Sequence, residues 1–360
     1  MPSTVENNPP DSRIEPVPVD DREVGPGLPP FIIAEVAQAH DGSLGTAHAY
    51  VDAVADAGAH AIKFQTHIAA EESTFDEPFR VRFSRQDETR YGYWTRMEFT
   101  PEQWKDLAEH ARTRGLTFLS SPFSVAAVEM LWDLGVRAWK IGSGEFGSRG
   151  LLEAMGKRGG TILLSTGMSR MEEIAQGVEI VRSMGMGLVL FQCTSRYPTP
   201  LESVGIHVID ELRERFHCPV GLSDHSGSVF PGLKAMALGA DLLEVHVTMD
   251  RRLFGPDVKA SVTVDELAFL AEAGEAFFTM ETNPVDKDRA AEELQEMRRM
   301  FSKSVAPRQA LPVGTVLTRD MLTLKKPGTG IPEHDMDRLV GRVLKRAVPA
   351  DRLLSWEDVE

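Results

Sequence analysis

What most constrains this chain is an alternation that recurs eight times, a short apolar run followed by a longer amphipathic stretch. The runs are FIIAEV (31–36), AIKFQT (61–66), LTFLSS (116–121), AWKIGS (138–143), TILLST (161–166), LVLFQCT (188–194), PVGLSDH (219–225) and LLEVHVT (242–248). Short apolar runs bounded by turn residues read as buried parallel strands. Helical patterns lie near 46–58, 101–114, 124–134, 149–157, 170–184, 203–216, 229–238 and 264–280. Thr100-Pro101 with Gln103, Ser169 with Glu172, and Thr263 with Glu266 have the spacing of capping boxes. Gly58, Gly115, Gly135 and Gly239 stand where helices should stop. Eight strand–helix units over ~250 residues predict an α/β fold, a (β/α)8 TIM barrel over 31–283, in preference to an open doubly wound sheet.

Four stretches break the alternation. Residues 1–30 hold eight of the 22 prolines and six acidic residues, a composition that predicts a disordered leader because it buries too little to offset its ordering entropy. Residues 67–100 are too long for an ordinary strand-to-helix connection and predict a lid or wall. Residues 284–300, with the charged run DKDRAAEELQEMRRM, predict a helical linker. Residues 301–360 have another texture, with turn signals between short β-like runs, and predict a small β-rich domain. That piece carries ten Lys/Arg and eight Asp/Glu, so +2, which leaves −17 of the total −15 on the rest. A body this acidic argues against nucleic acid and anionic membrane as partners. Two cysteines make no disulfide framework, and no apolar run reaches the ~18 residues of a membrane span. A cytoplasmic protein is expected.

Polar residues gather where each strand should end: Glu35; Lys63 and Gln65; Ser120 and Ser121; Lys140, Ser143 and Glu145; Ser165; Thr194 and Ser195; Ser223 and His225; Glu244 and His246. In a (β/α)8 barrel that end is the active-site face, and residues two apart share one side of a strand. A single strand-end serine is usually a helix cap; convergence on one face is what argues for function. Lys63, Lys140, Ser121, Ser143 and Ser165 could surround a phosphorylated anion. His225 and His246 end neighbouring strands and could share a divalent metal, leaving positions for water and substrate. Glu35 and Glu244 suit sugar hydroxyls or a metal-bound water. Cys193, in FQCTSRYP, reads as a small buried hydrophobe and not as a nucleophile.

Taken in order, AEVAQAHDG (34–42), KFQT (63–66), YWTRMEFTPEQW (93–104), SSPF (120–123), KIGSGE (140–145), LSTGM (164–168), CTSRYP (193–198), GLSDHSG (221–227), EVHVT (244–248), GPDVKAS (255–261) and KKPGTGIP (325–332) resemble sialic acid synthases. The C-terminal part resembles the small antifreeze-like (SAF) domain that ends those enzymes. The resemblance implies condensation of phosphoenolpyruvate with an N-acylated hexosamine aldehyde. Water then adds at C2, phosphate leaves by C–O cleavage, and a nine-carbon 2-keto sugar acid results. It implies that Lys63, Ser121, Lys140, Ser143, Ser165, Ser195 and Ser223 hold phosphoenolpyruvate. Glu35, Gln65, Tyr197, Asp257 and Lys326 would contact the sugar. His225 and His246 would hold Mn2+, or Mg2+ or Co2+, with Glu244 steadying a bound water; Glu35, Lys63, Lys140 and Glu244 are the catalytic candidates. It also implies a domain-swapped homodimer in which the KKPGTGIP turn reaches the partner's barrel.

The chain departs from the family pattern at Ala37, Ala39, Val245, Val258 and Lys326, where Gly, Asn, Lys, His and Arg are usual. Several departures fall on the sugar side, so the chemistry is expected to be retained on a non-standard acceptor. Two other readings stand beside this one: a Schiff-base pyruvate aldolase using Lys63 or Lys140, and a non-catalytic sugar-binding homologue.

Overall fold

A computed structural model describes residues 14–79, 82–145 and 147–360. The chain divides into two compact units, the first ending at Thr282 and the second spanning Asn283–Glu360. The first opens with β1 (Val17–Val19) and β2 (Arg22–Val24). It continues through β3 (Phe31–Ala37), α1 (Leu44–Asp56), β4 (Ala61–Thr66), α2 (Ala69–Glu72), α3 (Arg90–Met97), α4 (Pro101–Thr113) and β5 (Thr117–Pro122). Next come α5 (Val125–Asp133), β6 (Ala138–Ile141), α6 (Arg149–Arg158), β7 (Thr161–Ser165), α7 (Met171–Ser183) and β8 (Gly187–Cys193). The unit ends with α8 (Val208–Phe216), β9 (Val220–Asp224), α9 (Val229–Ala237), β10 (Leu242–Thr248), β11 (Ser261–Thr263) and α10 (Val264–Thr282).

Strands β3 to β10 pair in chain order, all parallel, and β10 pairs back onto β3, so the sheet closes as an eight-stranded barrel. β11 adds outside the ring, on β10. The two-residue period of each strand then sorts side chains into layers. Ile33, Ala61, Leu119, Ala138, Leu163, Val189 and Leu242 fill the lower interior as one apolar cluster. Two residues further along the same strands stand Glu35, Lys63, Ser121, Lys140, Ser165 and Glu244. The alternate residues, among them Ile32, Ile62, Trp139 and Ile162, face outward and pack beneath the helices. Each fully buried large apolar side chain contributes roughly 1.5–3 kcal/mol relative to exposure.

The structure corrects the expected disordered leader. Residues 1–13 fall outside the described residues, but β1 and β2 form an antiparallel hairpin whose Val19 and Val24 join the lower interior layer. Thr161 Oγ1 donates to the Pro18 carbonyl at 2.5 Å and Arg22 donates to the Gly115 carbonyl at 2.8 Å. Asp20, at φ 58°, turns the chain between the strands. Val17, Val19 and Val24 share one face of the hairpin while Pro18 and Glu23 lie exposed on the other, and that pattern outweighs the proline and acid content. The capping box expected at Ser169 and Glu172 is shifted by one: the N-cap of α7 is Arg170, whose N–H donates to Glu173 at 2.6 Å. The boxes at Thr100–Gln103 and Thr263–Glu266 form as expected.

The second unit takes in the helical segment expected as a linker, as α11 (Lys287–Glu293) and α12 (Gln295–Phe301). β12 (Ser304–Pro307) pairs antiparallel with β13 (Leu322–Lys325). Val305, Leu317, Leu339 and Leu354 lie in its core. Asp358, fully buried, pairs with Arg346 and Arg352 and accepts from the Ser355 N–H at 2.8 Å. Among the described residues no helix is long and apolar enough to cross a membrane.

Candidate active site

The upper interior layer is a buried charge cluster. Lys63 Nζ pairs with Glu35, lies 3.8 Å from Glu244 Oε2 and donates to Ser121 Oγ at 3.4 Å. Lys140 Nζ lies 3.2 Å from Glu244 Oε1 and donates to Ser165 Oγ at 2.7 Å. Ser223 Oγ donates to Glu244 at 3.0 Å. Lys140 and Lys63 thus share Glu244. Burial pulls Lys63 down to about 7, against the Glu244 carboxylate, which favours the ammonium. Burial would raise Glu244, but Lys140 and Lys63 outweigh it and hold the carboxyl below the usual carboxylate range. Beyond their ion pairs, both Glu35 oxygens and Glu244 Oε2 have no hydrogen-bond partner among the described residues. Buried carboxylate oxygens in that state are costly unless a ligand completes them.

Above this layer, three side chains converge on Gly167 in the loop after β7. A Cβ at Gly167 would lie 2.6 Å from Ser195 Oγ and 2.9 Å from both Cys193 Sγ and Ser143 Oγ. Ser143 Oγ accepts from the Gly167 N–H at 2.9 Å. The bare glycine therefore leaves a cradle of hydroxyls beside Lys140. Cys193 is buried and its thiol is pushed up by that burial, the behaviour expected of a packed hydrophobe. Its sulfur nevertheless sits 3.9 Å from His225 Nδ1, closer to the chemistry than the sequence suggests.

The ring centroids of His225 and His246 lie 5.3 Å apart, with the planes tilted at 53°. The Thr194 carbonyl, 3.2 Å from His225 Nδ1, can only accept, so that nitrogen carries the proton and Nε2 presents a lone pair. Tyr197 OH donates to it at 3.0 Å. Burial holds His225 at about 4 and His246 well below its ordinary value, so both rings are neutral near pH 7. Among the described residues no group of three or more His, Cys, Asp or Glu is arranged to hold a metal. Two neutral imidazoles still fit a divalent ion whose remaining positions are taken by water and substrate.

A cavity of about 250 Å³ opens beside His246 and Tyr197. Gln38, Gln65, Tyr197, His246 and Asp257 form its polar side. Phe79, Phe83, Tyr93, Trp94 and Phe123 form an aromatic wall, supplied mainly by the long segment after β4. His67 is sandwiched between Trp94 and Phe123 at 3.8 and 4.3 Å, with Nδ1 2.5 Å from Glu72 and Nε2 3.2 Å from Gln65. Arg90 lies over Trp94 at 5.1 Å, its guanidinium 3.3 Å from Glu77. Lys326 belongs to the second unit, where its ammonium sits 4.9 Å over the Phe301 ring.

Residues 50–303 match the NeuB family and residues 302–360 match the SAF domain. The chain belongs to the NeuB family. It is 33% identical over 346 residues to human N-acetylneuraminate-9-phosphate synthase, covering 94% of this chain and 95% of that one. It is 30% identical to N,N'-diacetyllegionaminic acid synthase of Campylobacter jejuni, covering 90% of this chain and 98% of the relative. Among solved structures, the N-acetylneuraminic acid synthetase of Leptospira borgpetersenii, in complex with citrate, superposes with a TM-score of 0.69 at 29% identity. That match covers 80% of this chain and 97% of that one.

This NeuB-family chain is a synthase-type enzyme, a TIM barrel followed by a SAF domain. Residues drawn from seven strands, far apart in sequence, form its charge cluster and imidazole pair. Sequence reasoning missed Gln38, His67, Phe123, the Thr194 carbonyl and the Gly167 cradle. His67 and Phe123 stand directly after KFQT and SSP and could have been found there; the cradle has no local signal, because it depends on three separate loops meeting.

Proposed function

We propose that the chain condenses phosphoenolpyruvate with an N-acylated hexosamine aldehyde and water, giving a nine-carbon 2-keto sugar acid and phosphate. The observation that carries this reading is the buried Lys63–Glu35–Glu244–Lys140 cluster beneath the Gly167 hydroxyl cradle. Ammoniums and hydroxyls so close together suit a small, highly charged anion in a dry site. Lys140, with Ser143, Ser165 and Ser195, binds the phosphate and carboxylate, assisted by Ser121 and Ser223. Gln65, Tyr197 and Asp257 orient the acceptor with its aldehyde toward C3 of the enolpyruvyl group. The C3–aldehyde carbon bond forms, and Lys63 Nζ gives a proton to the new alkoxide oxygen, a task suited to an ammonium near 7. Glu35 takes a proton from the water that adds at C2; the C2–O bond to phosphate then breaks, the phosphate leaving with the bridging oxygen and the proton of the new C2 hydroxyl, which becomes the keto oxygen. His225 and His246 would hold Mn2+, or Mg2+ or Co2+. When bound, such an ion supplies Lewis acidity toward the aldehyde oxygen.

The aromatic wall favours a neutral, acyl-bearing acceptor over a phosphorylated one. The guanidinium on that wall, Arg90, is already engaged by Glu77 and Trp94, and Asp257 adds a carboxylate. The decisive experiment is phosphate release from phosphoenolpyruvate across N-acylated hexosamines, with 18O in the bridging position. Label in the phosphate supports the reading, and no release with any acceptor removes it. Chelation should abolish turnover, and His225→Ala should lower bound metal by direct metal analysis.

The depressed Lys63 also suits a Schiff-base aldolase acting on pyruvate. A borohydride-stable pyruvate adduct would favour that alternative. As the family resemblance implies, we further infer a domain-swapped homodimer in which Lys326 serves the partner's acceptor site.

A further inference from the structure

The outer helices α1 and α4 carry a second pair of histidines, His48 and His110, which the synthase reaction does not use. Each has an aspartate one turn away on its own helix: His48 precedes Asp52 by four residues on α1, and Asp106 precedes His110 by four on α4. Residues four apart share a helix face. Across the helix–helix seam the two couples cross. His110 Nε2 lies 3.2 Å from Asp52 Oδ1, and His48 Nε2 lies 3.3 Å from Asp106 Oδ2. The inner nitrogens, His48 Nδ1 and His110 Nδ1, face one another at 2.8 Å. Asp52 is shared with Arg114, whose Nε lies 3.3 Å from the same oxygen.

A carboxylate facing each outer nitrogen favours the tautomer with its proton on Nε2, which leaves both Nδ1 atoms as lone pairs aimed at one point. Two lone pairs at that separation repel unless a ring proton or a metal cation lies between them. Carboxylates behind the far nitrogens are also the arrangement that orients and strengthens metal-bound histidines. Both rings are only about a quarter exposed, so the point between them is sheltered but reachable. We infer that His48 and His110 form a binding site for a divalent transition-metal ion, such as Zn2+ or Ni2+, which staples α1 to α4. Tetrahedral coordination needs the two nitrogens roughly 3.3 Å apart, a small opening of the side chains, with water in the remaining positions. The site is independent of the acceptor chemistry and of the metal expected at His225 and His246.

The test uses the full chain carrying His225→Ala and His246→Ala, titrated with Zn2+ or Ni2+ by calorimetry and followed by thermal melting. One equivalent of metal should bind and raise Tm, and adding His110→Gln should abolish both effects. Asp106→Asn should weaken binding about 10- to 100-fold, as loss of a supporting carboxylate does elsewhere. If the double alanine variant folds poorly, the same titration of the natural chain against its His110→Gln form should show one equivalent fewer. Uptake that His110→Gln leaves unchanged, or no uptake at all, overturns the inference and leaves the pair sharing a proton.

Discussion

Gly167 sits where three strand-end loops meet, and a methyl group there would collide with Ser143, Cys193 and Ser195 at once. Overpacking of this kind typically costs ~1–3 kcal/mol, and here it would fall on the hydroxyls assigned to phosphoenolpyruvate. Gly167→Ala should therefore raise KM for phosphoenolpyruvate about ten- to a hundredfold while leaving the barrel folded. Steady-state kinetics beside circular dichroism check this; an unchanged KM would separate the cradle from the anion site. The two lysines and the histidines were legible in the sequence because the two-residue period of a strand carries parity from the apolar core to the polar rim. Their partners were less so: Lys140 meets Glu244, a contact between strands far apart in the chain that no local pattern encodes.

At the scale of elements, the segment after β4 matters most, because it supplies most of an aromatic wall to an otherwise polar cavity. A dianionic phosphate against that wall would lose hydration, and the guanidinium there is already paired with Glu77. The enzyme should accordingly prefer an unphosphorylated N-acylated acceptor over its 6-phosphate by at least about tenfold in kcat/KM, a modest ~1.4 kcal/mol. Comparison of the two sugars in the phosphate-release assay decides the matter. In the second unit, Asp358 is buried, and burial would raise its carboxyl, but Arg352, the Ser355 backbone and Arg346 outweigh that and hold it well below the usual carboxylate range. A depressed carboxyl stabilises the fold above its unfolded pKa and ceases to do so as pH falls through the folded value. Asp358→Asn should cost about 2 kcal/mol near neutral pH and make the melting of this unit less sensitive to acid. Calorimetric scans at about pH 7 and about pH 3 test both, since the unfolded carboxyl titrates between them. The hairpin β1–β2 was misread from composition, since its order comes from two valines docking on the barrel and not from any propensity of its own.

For the whole molecule, the proposed domain-swapped homodimer makes a prediction that neither unit makes alone. Mixing a Lys326→Ala chain with a His246→Ala chain gives mixed dimers in which one site collects both lesions and the other is intact. Activity should recover to about a quarter of the natural level if half the dimers are mixed. No recovery, or a monomer by light scattering, excludes the crossover. The barrel itself was legible from eight repeats of one pattern, whereas the pairing of subunits has no comparable periodic signal. The hairpin beneath the barrel has a kinetic consequence. With Val19 and Val24 in the apolar layer beneath it, the charge cluster is closed from below. On the proposed assignment of phosphoenolpyruvate to the cluster and the sugar to the cavity, the small anion should enter before the sugar, and a bound acceptor should trap phosphoenolpyruvate against exchange with the bulk.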